Sequence, residues 1–229
     1  MKTALAALLA AAGIMAALCL LGAPPSPWPI FLFPVALSLF QFSVTPFLRA
    51  TGFYRYHSAM LKSTLRTGRT WEIHGGTSLD YLLFLRVGEP SASTLRRLLV
   101  SYLEGLRDIA LRVEAGEIPP DMSVTGTSYF FSEHSARRLG FRIERAGFRL
   151  RCVLALYFLD LLVLYSLARG RLAVPNVLNA RRVVISGGEL ARNRPALEAL
   201  IARLEKRKRR QVNGAPRKAT HAAALTTTA

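Results

Sequence analysis

Between Thr3 and Leu48 the chain carries no charged residue, a neutral run of 46 positions in a protein whose formal net charge is +17. A stretch this long and apolar must leave water, either in a large core or in lipid. Two segments inside it, Ala4–Leu21 and Ile30–Leu48, each have the roughly 17–25 residues that a membrane-crossing helix needs. Between them Pro24, Pro25, Pro27 and Pro29 lack N–H donors and interrupt any helix. The pattern predicts a transmembrane helical hairpin over 1–48, with Trp28 at the headgroup boundary and with kinks or fraying at Pro34 and Pro46. A secretory signal also begins with a basic residue before an apolar run. Here Leu21-Gly22-Ala23 is a poor cleavage site and Pro24 follows it directly, so the hairpin is the better reading.

Charge sets the orientation. The Pro-rich turn has no Lys or Arg, whereas Arg49, Arg55, Lys62, Arg66 and Arg69 follow the second segment closely. The positive-inside rule places that flank in the cytoplasm of a bacterial inner membrane. Arg49 and Arg55 interleave with Phe53, Tyr54 and Tyr56, as residues at a membrane surface do. A third apolar stretch, Cys152–Ala168, is interrupted only by Asp160. If it crossed the bilayer, it would export residues 169–229, whose 14 basic and 3 acidic residues give +11. It reads instead as a helix buried in, or apposed to, the cytoplasmic domain.

The text between the hairpin and Gly147 predicts a mixed α/β domain over 49–148. Thr70–His74 and Met122–Thr125 have strand character, and so does Phe141–Arg145. Leu79–Val87 fits a strand or a short helix, and Tyr129–Arg138 a short helix. From Leu95 to Val113, apolar residues at 95, 98, 99, 102, 106, 109, 110 and 113 define one face of a long helix, with Ser93 as its cap. Over 149–210 an apolar helix, a short strand at Arg182–Ile185, a break at Gly187-Gly188 and a basic amphipathic helix capped by Asn193 follow. The tail 211–229 lacks any core-forming pattern and reads as disordered.

Candidate chemistry is sparse. Gly76-Thr77-Ser78 and Gly126-Thr127-Ser128 each follow a predicted strand, so Thr77, Ser78, Thr127 and Ser128 are either plain helix caps or the lining of one anion-binding pocket. His74 and His134, with Asp80 and Glu133 nearby in sequence, are the acid–base candidates. The four His show no metal-ligand spacing, and Cys19 and Cys152 make no disulfide framework. Nothing in the composition names a cofactor.

One stretch resembles a known family. A helix at Leu95–Val113, a strand at Met122–Thr125, a short helix at Tyr129–Arg138, the turn Leu139-Gly140-Phe141 and a strand at Arg142–Arg145 follow the order of the second half of GNAT-type N-acetyltransferases. Ser135–Phe141 looks like that family's helix end. The resemblance implies an acyl-transfer fold. It does not extend to the acetyl-CoA loop, which in the family reads Gln/Arg-x-x-Gly-x-Gly/Ala and here is Val87-Gly88-Glu89-Pro90-Ser91-Ala92-Ser93. No catalytic residue is carried over from it.

The run Lys206-Arg207-Lys208-Arg209-Arg210 predicts attraction to anionic lipid head groups. A solvated tail ranks behind that reading, and nucleic-acid binding ranks third because no reader motif accompanies the charge. The expectation is therefore an integral membrane protein with a basic cytoplasmic domain in an accessory or interaction role, with lipids and possible protein partners. The alternative is a membrane-anchored, diverged GNAT-like acyltransferase acting on a lipid-linked or amphipathic substrate.

Overall fold

The computed structural model describes residues 28–64, 69–86, 90–128 and 133–213. The first segment of the expected hairpin and the tail beyond Asn213 lie outside them. The second hairpin segment is helix α1, Trp28–Ala50, which continues through Pro34 and Pro46 and is about 34 Å long at 1.5 Å per residue. Three antiparallel strands follow, β1 (Tyr54–Tyr56), β2 (Leu61–Thr64) and β3 (Thr70–Gly75).

The chain then forms helices α2 (Ser78–Phe84) and α3 (Ser91–Glu114) and returns as β4 (Ser123–Ser128), parallel to β3. Helix α4 (Glu133–Arg138) leads to β5 (Arg142–Arg145). Helices α5 (Phe148–Leu156) and α6 (Phe158–Arg169) precede β6 (Arg181–Ser186), α7 (Gly187–Arg192) and α8 (Arg194–Asn213). The sheet order is β1-β2-β3-β4-β6-β5.

The mixed α+β expectation is met by this six-stranded sheet, but the boundary at 148 is not where the fold divides. Strand β6 lies between β4 and β5 and bonds antiparallel to both, so the later segment completes the sheet. Helix α3 is the spine of the core: Leu98, Leu103, Leu106, Ile109 and Ala110 are almost fully buried against Ile73, Val124, Ile185 and Leu190. Its start differs from the expected cap at Ser93. The helix begins at Ser91 after Pro90, without a side-chain cap bond, because Pro fixes the entering backbone and needs no N–H partner.

Three further expectations change, and one is decided: of the stretch Leu79–Val87, Leu79–Phe84 lies in helix α2, the helical alternative, and Val87 lies outside the described residues. Gly187-Gly188 opens helix α7, because Ser186 and Glu189 form a capping box around them. Gly126-Thr127-Ser128 is strand, bonded to β6 through Gly126–Val183, Thr127–Arg182 and Ser128–Arg181. The stretch Cys152–Ala168 is two helices, α5 and α6, bent by 72° at Tyr157. Among the described residues no single helix is long and apolar enough to cross a membrane. The bent pair Leu150–Leu156 and Phe158–Arg169 passes that test together, by length and composition only.

Helix α3 runs antiparallel to β3, which gives the domain two ends. At one end Gly170, after α6, lies against Ser91. At the other, Arg69 pairs with Asp121 and Arg194 with Glu114. Helix α8 thus starts beside the last turn of α3. Its buried stripe of Leu197 and Ile201 packs back along α3, so residues 206–210 head toward the end where α2 and α6 lie.

At Gly105 helix α3 comes close to the sheet: a Cβ there would lie 2.6 Å from Leu61 Cβ and Cδ2. Gly105→Ala gains helix propensity of about 1 kcal/mol. Because overpacking costs about 1–3 kcal/mol, it is expected to lower stability overall, as read by denaturant unfolding in detergent. A more stable variant would contradict the packing.

Candidate functional site

Strand alternation sorts the chemistry of the sheet onto two faces. Arg55, Ser63 and Ile73 pair with one another and face α3, together with His57 just after β1. On that face Asp108 Oδ2 lies 2.8 Å from His57 Nδ1, and His57 Nε2 lies 2.9 Å from Ser63 Oγ. The polarity is that of a hydrolase relay, but Ser63 is only 2% exposed and packs against α3. The array therefore reads as a clamp from β2 to α3, with Arg112 holding Asp108 at 2.8 Å.

Burial pushes the His57 imidazole below its ordinary range, against the opposing pull of Asp108. Burial raises the Asp108 carboxyl, but hydrogen bonds from Arg112 and His57 outweigh it and leave that carboxyl below its usual range. Both shifts make the unfolded chain the better proton acceptor. His57's contribution is complete above about pH 6.5 and is lost as pH falls below it, whereas Asp108's persists until about pH 4. Melting temperature is thus expected to fall between about pH 6.5 and 5 in the native chain, with a smaller slope in His57→Phe. Equal slopes would contradict the clamp.

The opposite face carries a polar row. Tyr56 pairs with Lys62, and Lys62 with His74; across β4, Thr127 pairs with Arg182, and Arg182 with Glu144. Between the two halves the sheet forks. The parallel pairing of β3 and β4 runs from Thr70–Ser123 to Ile73–Gly126 and stops. His74 and Gly75 remain bonded to β2, and Thr127 and Ser128 to β6. Past residues 73 and 126 the two strands no longer pair with each other.

One side of this row is closed by a buried cluster around Asp80. Thr77 caps α2, and its backbone N and Oγ1 donate to Asp80 Oδ2 at 2.8 and 2.9 Å. Tyr56 Oη donates to both Asp80 oxygens at 3.2 and 3.0 Å, and Arg49 approaches at 4.0 Å while stacking on the Tyr56 ring. Burial and the Asp80 charge push the Tyr56 phenol well up. Ser78 Oγ donates to Asp160 at 2.5 Å, tying α2 to α6.

Lys62 is 4% exposed, and its Nζ sits 3.8 Å from the centre of the Tyr54 ring. Among the described residues no hydrogen bond or ion pair engages that ammonium. Burial lowers it to about 8, partly offset by Asp80. The folded chain holds fewer protons than the unfolded one between that value and 10.5. Stability is therefore expected to rise as pH climbs from about 8 to 10.5. Lys62→Met is expected to remove that rise, and a rise that survives the substitution would contradict it.

The expected site residues fall as follows. Thr77 is the cap of α2, and Ser78 is bonded to α6. His74 and Thr127 are the first residues beyond the last β3–β4 pair, and Ser128 ends β4. His134 belongs to α4, in the connection between β4 and β5; its side chain, and those of Ser128 and of Arg207, Lys208, Arg209 and Arg210, lie outside the described part, while Lys206 is exposed on α8. The second Gly-Thr-Ser triplet is therefore no helix cap, and the pair of triplets does not form a pocket of two capped turns. Arg55 points away from Arg49: it pairs with Glu117 at 3.6 Å beyond the far end of α3, because residues 54 and 55 face opposite sides of β1.

Lys62, Arg182 and the bonds that Tyr56 brings to Asp80 are the features that sequence reasoning missed. The Thr77–Asp80 capping box itself was announced by the spacing of those two residues. Among the described residues no three His, Cys, Asp or Glu side chains gather as metal ligands. No protein-family model matches the chain, and neither a curated protein nor a solved structure is detectably similar to it.

Proposed function

We propose that the chain is an integral protein of a bacterial inner membrane that holds its basic α/β domain against the cytoplasmic face, where the domain engages an amphipathic or lipid-linked partner. One observation carries this reading. Helices α1, α2 and α6 touch one another at one end of the domain, and they leave Phe47, Leu82, Leu83, Val163 and Leu167 between 52% and 69% exposed. Phe148, Leu172 and Val174 add to the exposed apolar residues of this half of the chain. Apolar side chains spread over three adjoining helices are costly in water and fit a lipid surface. The helical α1, the charge asymmetry and the course of α8, which carries the basic run toward this end, support the same side as membrane-facing.

The role is accessory or interaction-based, and the occupant of the apolar face is the bilayer. Carbonate extraction tests the anchoring: the full chain is expected to stay with the membrane pellet. Complete release by carbonate or high salt would overturn it.

A second reading, a diverged GNAT-like acyltransferase, is supported by the succession α3, β4, α4, Leu139-Gly140-Phe141 and β5, and by the fork beside His74. The missing phosphate-loop pattern at Val87–Ser93 weighs against acetyl-CoA as a ligand.

A further inference from the structure

The arginines of the domain divide by whether a carboxylate meets them. At the end bearing Asp121, Arg55, Arg69, Arg112 and Arg194 pair with Glu117, Asp121, Asp108 and Glu114 respectively. Between Arg145 and Gly188, by contrast, the chain has seven arginines and a single acid, Asp160, which is engaged by Ser78. Arg145, Arg151, Arg171 and Arg181 are exposed, and among the described residues their guanidinium groups make no ion pair or hydrogen bond. Arg169, in the last turn of α6, lies over the Tyr165 ring, 4.4 Å from its centre. Its Nε is buried without a hydrogen-bond partner, the one such side-chain atom among the described residues.

Strand register brings these arginines to one end. Arg181 pairs with Ser128 at the end of β4 and with Arg145 at the end of β5. Strand β4 runs parallel to β3, whose end leads into α2. Arg151 lies in the first turn of α5, just after β5, and Arg171 follows Gly170, which lies against Ser91. This is the end where α2 and α6 expose their apolar side chains. Phe148 and Leu172 are 82% exposed and Val174 is 67% exposed, and in sequence they fall between the unpaired arginines.

We propose that Arg145, Arg151, Arg169, Arg171 and Arg181, with Phe148, Leu172 and Val174 among them, form a docking surface for anionic phospholipid, each guanidinium meeting a head-group phosphate of its own. A bilayer presents many phosphates across a plane, which suits charges spread over β5, α5, α6 and β6. A guanidinium bonds two oxygens of one phosphate at once, while the apolar side chains enter the boundary beneath the head groups. Nucleic acid also presents rows of phosphates, but its bases stack on aromatic faces; Leu172 and Val174 are aliphatic and fit acyl chains. A lipid partner rests on the membrane-surface reading and sharpens it: neutral lipid would cover the apolar helices, but only anionic lipid replaces the carboxylates that these arginines lack.

Cys152, exposed beside Arg151, is the reporter. The full chain with Cys19→Ser is placed in nanodiscs of phosphatidylcholine, or of phosphatidylcholine with about one-third phosphatidylglycerol. Cys152 is then labelled with a neutral polyethylene-glycol maleimide that stays out of lipid. Labelling is expected to be at least about fivefold slower in the anionic discs, the effect of one arginine near such a surface. High salt is expected to remove most of that difference. Arg145→Gln with Arg171→Gln and Arg181→Gln, all at exposed positions, is expected to bring the two rates within about twofold.

Equal rates for the native arginines in both discs would overturn this surface, and so would a difference that persists in the triple variant. Protection of Cys152 in detergent by a short RNA, with none in the anionic discs, would overturn lipid as the partner. Failure of the chain to enter discs of either composition would instead overturn the membrane reading, and the lipid partner with it.

Discussion

Asp80→Ala is expected to lower the stability of the detergent-solubilised chain by about 3–5 kcal/mol, the range seen when one partner of a buried charged network is removed. The Asp80 side chain is 3% exposed and is the common acceptor for Thr77, Tyr56 and Arg49. Its loss uncaps α2, strands the Tyr56 hydroxyl in a half-buried place and takes away the one carboxylate whose charge supports Lys62. Asp80→Asn keeps an acceptor oxygen for the cap but loses the charge, so its cost is expected to fall between that of the native chain and of Asp80→Ala. Equilibrium unfolding in denaturant reads both. A loss below about 1 kcal/mol for Asp80→Ala would place it among ordinary surface substitutions and would mean that the cluster does not hold the β1–β2 corner to α2.

The second large effect belongs to helices α2 and α6, which the proposed docking sets against lipid. Leu83 and Val163 are exposed on α2 and α6. In water, changing such residues to Asp shifts stability by about 0.5 kcal/mol or less. Against lipid, each carboxylate costs from under 1 to about 3 kcal/mol, depending on depth. In bilayers of phosphatidylglycerol and phosphatidylcholine, Leu83→Asp with Val163→Asp is expected to speed hydrogen exchange of α2 and α6 tenfold or more. The core of α3 should keep its protection. The chain itself is expected to stay with the bilayer, because α1, part of the proposed anchor, is untouched. Unchanged exchange in α2 and α6 would show that those side chains never left water.

Legibility in the sequence followed the strength of local signals. Helix α3 was plain because its apolar positions repeat over five turns, and the α2 cap because Thr77 and Asp80 have the spacing of a capping box. Strands β1 and β2 were not legible. Tyr54–Tyr56 and Leu61–Thr64 are only three and four residues long. Lys62 looks like one more positive charge after a membrane helix, and only pairing with both β1 and β3 turns it inward. The bend at Tyr157 has no Pro or Gly to announce it. Asp160, read as an interruption of an apolar helix, stands in the first turn of α6 and meets Ser78 from 82 residues away in sequence. That His74 and Thr127 both stand just past the last β3–β4 pair depends on register between strands separated by two helices, which no local pattern encodes.

The central claim is that the end of the domain bearing α2 and α6 lies against lipid and the end bearing Asp121 lies in water. Spin labels on single cysteines at Leu83, Val163 and Asp121, in a chain with Cys19 and Cys152 replaced, read this directly in bilayers. Labels at 83 and 163 are expected to relax more with dissolved oxygen than with a water-soluble nickel complex, and the label at 121 the reverse. If all three report the same aqueous environment, the domain does not dock on the membrane by this face.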